Sequence, residues 1–110
     1  MQKNKVLSML GLARRAGRLS MGHDMAEKAV KTHKACAVLL CSDVSPRLAQ
    51  EFEKTVENSN KDIPVVLADI TMDEIHFAVG YRAGVITVDD ENFCKKIISL
   101  LRQEEQVNGH

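Results

Sequence analysis

Between residues 14 and 28 cations bracket a glycine: Arg14, Arg15 and Arg18 precede Gly22, and Lys28 follows it, with Lys31 one turn further on. His23, Asp24 and Met25 come directly after the glycine. These residue types in this order suit a polyanion. Cations attract phosphate, glycine lets backbone approach closely, and free amide N–H groups at a helix start favour negative charge. The net charge of zero hides a segregation: residues 1–34 carry eight Lys/Arg against two acids, and the other 76 residues carry seven against thirteen. A basic footprint on an acidic body fits an RNA-binding module, because phosphate attraction dominates affinity while the acidic remainder limits indiscriminate sticking. Taken singly, each of these side chains is also what an exposed helix face carries, so the inference rests on the cluster.

Signals of catalysis are weak. Gly11 and Gly17 fall in a helical pattern with no Gly-Lys-Ser/Thr after them, which excludes a nucleotide-hydrolase phosphate loop. Asp89, Asp90 and Glu91 are explained as acids in the first turn of a helix. His23 has no nucleophile beside it in sequence, so no catalytic residue is assigned. His33, Cys36 and Cys41 raise the question of zinc. Cys36 and Cys41 are five apart on an expected strand and point to opposite faces, so the three cysteines are read as buried thiols and no metal or other cofactor is assigned.

The elements that must position the basic cluster follow from periodicity. Val6, Leu10, Ala13 and Ala16 recur at helical spacing, with Gly17 as a stop. A short extended piece, 18–21, leads to a helix from Gly22 or His23 to His33 with Met25, Ala26, Ala29 and Val30 inward. Cys36 to Cys41 is an apolar run of strand length, expected to be covered on both faces. Ser45 caps a third helix with Pro46 at its first position. Ile63–Leu67 is a second buried strand, and Thr71 starts a short helix burying Ile75, Phe77 and Ala78. Gly80–Gly84 forms a loop into the strand Val85–Val88, and a last helix places Phe93, Ile97, Leu100 and Leu101 inward; residues 104–110 are expected to fray. Strands alternating with helices over 110 residues imply one α/β domain: a three-layer αβα sandwich around a small mixed, largely parallel four-stranded sheet. No apolar run reaches the roughly 20 residues of a membrane span, and no leader pattern opens the chain, so a cytoplasmic monomer with no membrane partner is expected.

"LGLARRAGRLSMG" at 10–22 and "AVGYRAGVITVDDENFCKKI" at 78–97 carry a resemblance that runs from Lys5 to Leu101. The chain resembles the kink-turn RNA-binding ribosomal proteins of the L-seven-Ae and L-thirty-e group, and within it the small bacterial YlxQ-type proteins. The resemblance implies a non-enzymatic protein that grips a sharply bent RNA at tandem sheared G·A pairs, in ribosomal or another structured RNA, with the ribosome as an expected partner. It maps the signature glycine and its readers onto Gly22, Asp24 and Lys28. It also maps the contact loop onto Asp43, Val44, Ser45 and Pro46, and the apolar cover over an extruded base onto Tyr81, Arg82, Ala83, Val85 and Ile86. The strongest binders carry Asn then Glu where this chain has Asp24 then Met25. Two alternatives remain at this level: a protein-interaction module using the acidic helices, and a small-ligand α/β enzyme.

Overall fold

The structure is a computed structural model that describes residues 2–108, with side chains described through residue 102. Its order is α1 (Lys3–Arg15), β1 (Leu19–Met21), α2 (His23–Lys31), β2 (Ala37–Leu40), α3 (Pro46–Asn58), β3 (Val65–Leu67), α4 (Met72–Val79), β4 (Val85–Val88) and α5 (Glu91–Asn108). The alternation expected from periodicity is present. The tail expected to fray, 104–110, falls where side chains, and for 109 and 110 the backbone too, lie outside the described residues.

Period-2 alternation along the two central strands builds the layers. Leu39, Ile86 and Val88 join Val6 and Leu10 of α1, Ile75 of α4 and Ile97 and Leu100 of α5 in one core. Val38, Leu40 and Val85 face the other way, onto Ala26, Ala29 and Val30 of α2 and Phe52 and Val56 of α3. The sheet is thus covered on both faces, and β2 and β4 are buried at every position. Gly11 serves this packing, because a Cβ there would lie 3.2 Å from the Ala78 carbonyl of α4.

The strand order is β1-β4-β2-β3. The expectation of a largely parallel sheet is corrected: β4 runs antiparallel to both β1 and β2, and only β2 and β3 are parallel. Strand β3 ends and β4 begins at the same end of the sheet, Leu67 and Val85 both pairing with Leu40, so after the eight-residue α4 the chain enters β4 in reverse. Helix–strand alternation alone does not carry that information. Three burial expectations also fail. Phe77 is 92% exposed because it sits two residues from Ile75, about 200° around the helix. Met25 is 55% exposed because α2 turns Ala26, Ala29 and Val30 inward instead. Strand β3 is an edge strand, only partly buried, with Leu67 65% exposed.

Cys41 is buried, donates to the Ala83 carbonyl at 3.4 Å, and its thiol is pushed up to about 12 chiefly by burial. Cys36 and Cys94 are only partly buried. Alkylation with iodoacetamide at pH 8 is therefore expected to modify Cys36 and Cys94 well before Cys41, read site by site by mass spectrometry; equal rates would mean that this end of β2 opens readily.

Candidate nucleic-acid interface

Strand register gathers three loops at one end of the sheet. Met21 pairs with Ile86, and Leu40 pairs with both Val85 and Leu67. The exits of β1, β2 and β3 and the entry of β4 therefore share that end, which places Gly22, Asp43–Pro46 and Gly80–Gly84 together. The contacts agree: Gly22 N donates to Val85 O at 3.0 Å, Cys41 N donates to Gly84 O at 2.9 Å, and Met72 N donates to the Asp43 carboxylate at 3.0 Å. A Cβ on Gly84 would come within 2.6 Å of Val44 Cγ1, so the second and third loops touch.

Three helices start at this end, and they differ in one respect. Ser45 Oγ accepts from Leu48 N, with Pro46 in the first turn, and Thr71 and Glu74 complete a capping box on α4. The cap of α2 is Gly22, at φ 89° and ψ 166°, with no side-chain cap. The first N–H groups of α2 are thus left for solvent or a ligand, while those of its neighbours are partly satisfied. That contrast leaves the start of α2 as the place on this edge where backbone donors could meet an anion.

Beside it stands Tyr81, half exposed, with the Arg14 guanidinium 5.4 Å from its ring centroid. Arg14 also reaches the Met21 sulfur at 2.7 Å. Together with Met25 these residues line an open depression of about 390 Å³. A cation over an aromatic ring, flanked by thioethers, offers a surface on which an unstacked base can lie.

The structure divides the expected basic cluster. Arg14, Gly22, His23, Asp24, Met25, Asp43, Val44, Ser45, Pro46, Tyr81 and Arg82 lie at or beside the shared edge, and exposed Lys28 stands about 9 Å along α2. Arg18 lies at the far end of β1, where its carbonyl accepts from Asp89 N. Lys31 occupies the last turn of α2 and pairs with Glu27 at 3.6 Å. Arg15 is exposed at the last residue of α1. Ala83, Val85 and Ile86 are buried, so they hold the third loop from beneath while Tyr81 and Arg82 present side chains.

Acidic groups that are remote in sequence also come to this edge. Arg82 is tied to Asp73 at 3.0 Å. His23 contacts Asp24 at 3.2 Å and, through Nε2, Glu51 of α3, while its ring meets Phe52 edge-on at 5.4 Å. The Glu51 contact, then Asp24, raise the His23 pKa above its ordinary value. Donor atoms of His23, Glu27 and Glu51 all lie within 4.8 Å of one another. Sequence reasoning missed this group. His23 and Glu27 at i and i+4 were a visible signal, but Glu51 arrives only through the packing of α3 on α2.

The chain matches the model of the ribosomal protein L7Ae/L30e/S12e/Gadd45 family over residues 4–97. Among solved structures it is similar to a protein of unknown function from Bacillus halodurans, with 31% identity, a TM-score of 0.78, and coverage of 88% of this chain and 96% of that one. It is also similar to the 15.5 kD RNA binding protein of Giardia lamblia, with 16% identity, a TM-score of 0.72, and coverage of 93% and 88%; at that identity the likeness speaks for the fold. A search of the curated proteins finds no match.

Proposed function

Because this chain belongs to the ribosomal protein L7Ae/L30e/S12e/Gadd45 family, we propose that it is a non-enzymatic RNA-binding protein whose contact surface is the loop edge around Gly22. The observation that carries the proposal is the uncapped start of α2 at a positive-φ glycine, beside the Arg14–Tyr81 pair and between two loops. Phosphate meets the free N–H groups, an unstacked base lies on Tyr81 and Met25, and Lys28 reaches a guanine edge from the second turn.

A sharply bent RNA of the kink-turn kind, in ribosomal or another structured RNA, is the ligand this surface suits best: it presents splayed bases and a crowded backbone together. On this reading the protein is a cytoplasmic, ribosome- or translation-associated monomer of the YlxQ-type bacterial group. No described helix is long and apolar enough to cross a membrane.

The cations left on this edge set the salt dependence. Arg82 is engaged by Asp73, and Arg15, Arg18 and Lys31 lie elsewhere, which leaves Arg14, Lys28 and Arg47, the last exposed in the first turn of α3. With two to three phosphates contacted, log affinity is expected to fall against log salt with a slope of about −1.5 to −3. Lys28→Ala should cost about 1–3 kcal/mol on a kink-turn and narrow its advantage over a G·A-disrupted version, while Lys95→Ala on α5 leaves both unchanged. Filter binding across a salt series tests both points. A flat salt response, or equal effects of the two lysine changes, would refute this assignment.

A further inference from the structure

We propose that His23, Glu27 and Glu51 form a binding site for a divalent transition-metal ion of the zinc class, through His23 Nε2 and one carboxylate oxygen of each glutamate. The site needs no RNA and stands whether or not RNA docks at Gly22.

Two adjacent helices supply the ligands. His23 and Glu27 are one turn apart on the same face of α2, and Glu51 projects from α3, with all three donor atoms within 4.8 Å of one another. Zinc bonds of about 2.0–2.2 Å put neighbouring donors about 3–3.5 Å apart, so the close His23–Glu51 contact must open to admit the ion, an adjustment that side-chain torsions can supply. One imidazole and two carboxylates with a position open to solvent is a donor set that zinc-class ions take.

A carboxylate that would orient the metal-bound imidazole is already in place. His23 Nδ1 lies 3.2 Å from Asp24 Oδ1, the carboxylate–histidine contact that fixes the tautomer of a metal-bound imidazole and aims the Nε2 lone pair at the ion. The ring is steadied from the other side by Phe52, which is fully buried. With Nδ1–H donated to Asp24, Nε2 faces Glu51 with a lone pair against a carboxylate, and Glu27 adds another negative charge. Something cationic belongs between them: a proton on Nε2 or a metal ion. Lys31 partly offsets Glu27 at 3.6 Å, but it is exposed and free to swing away.

Isothermal titration of the full chain with Zn²⁺ at pH 7.4 tests the site, in a Cys36→Ser/Cys94→Ser background that removes the two accessible thiols. One ion per chain is expected, with affinity reduced at least about tenfold by His23→Ala and by Glu51→Gln. No binding in that background, or affinity unchanged by either substitution, overturns the proposal. A second measurement uses the unsubstituted chain: one equivalent of Zn²⁺ should shift the His23 imidazole nitrogen resonances in preference to those of the other three histidines, His33, His76 and His110. A preferential shift of any of those three overturns the proposal even if a substituted chain fails to fold.

Discussion

Gly22→Val should weaken binding to a bent RNA at least about tenfold and cost about 1–3 kcal/mol of stability, although the space beside Gly22 is nearly open. A Cβ there would meet only the Tyr81 hydroxyl, at 3.8 Å. The penalty is conformational: φ 89° with ψ 166° is a region that residues with a Cβ scarcely enter, least of all a β-branched one. Relaxing it rotates the first N–H groups of α2 away from their common direction and strains the Gly22 N to Val85 O bond of 3.0 Å. Gly17→Ala is the control. It also carries positive φ with nothing within 4 Å of the added atom, but lies in the turn after α1 that leads to the far end of β1. Urea unfolding should show a stability loss for both variants, and RNA titration should show a loss for Gly22→Val alone. Equal RNA losses would mean that the start of α2 is not the contact.

A larger stability effect, about 3–5 kcal/mol, is expected for Asp89→Ala, with RNA affinity unchanged in the molecules that remain folded. The Asp89 carboxylate is fully buried and accepts from Ser20 Oγ at 2.6 Å and Thr87 Oγ1 at 2.8 Å, with the Lys34 ammonium 3.9 Å away. Ser20 and Thr87 are the two buried polar residues among those described, and one acceptor satisfies both. Removing it strands two hydroxyls between β1 and β4. Asp89→Asn keeps one acceptor oxygen and should cost less. If Asp89→Ala unfolds at the same urea concentration as the parent, the carboxylate is not the clasp of these strands.

Asp89 also illustrates what was legible in the sequence. Acids at 89–91 read as first-turn residues of α5, and Asp90 does accept from Phe93 N at 2.9 Å. Its neighbour turns the other way, to Ser20, a residue 69 positions away, and no local pattern encodes that. Local signals carried the elements: the Ser45–Pro46 start, the Thr71–Glu74 box and the apolar runs at Cys36–Cys41 and Val85–Val88 are all physical facts of short segments. Strand direction was not legible, because it depends on where a short helix leaves the chain relative to the sheet. Burial misled where hydrophobicity was taken as sufficient, at Phe77 and Met25, since an eight- or nine-residue helix turns only a narrow stripe inward. The basic cluster was legible as composition, but its geometry was not: Gly22 and Arg18 are four residues apart, yet a strand separates them to opposite ends of the sheet. The His23–Glu27–Glu51 group needed helix packing to exist at all.

The position of β1 in the sheet has a consequence in time. Among the described residues its only strand neighbour is β4, so Leu19–Met21 must wait for Ile86–Val88, 65 to 69 residues later in the chain, before it can join the sheet. At synthesis rates of about 5–20 residues per second, roughly 3–14 s pass between the two strands during translation. Throughout that interval Arg14, Arg15, Arg18 and Lys28 are tethered to the translating ribosome on a chain whose β1 has no place in the sheet. The edge around Gly22 thus takes its shape only once β4 has been made.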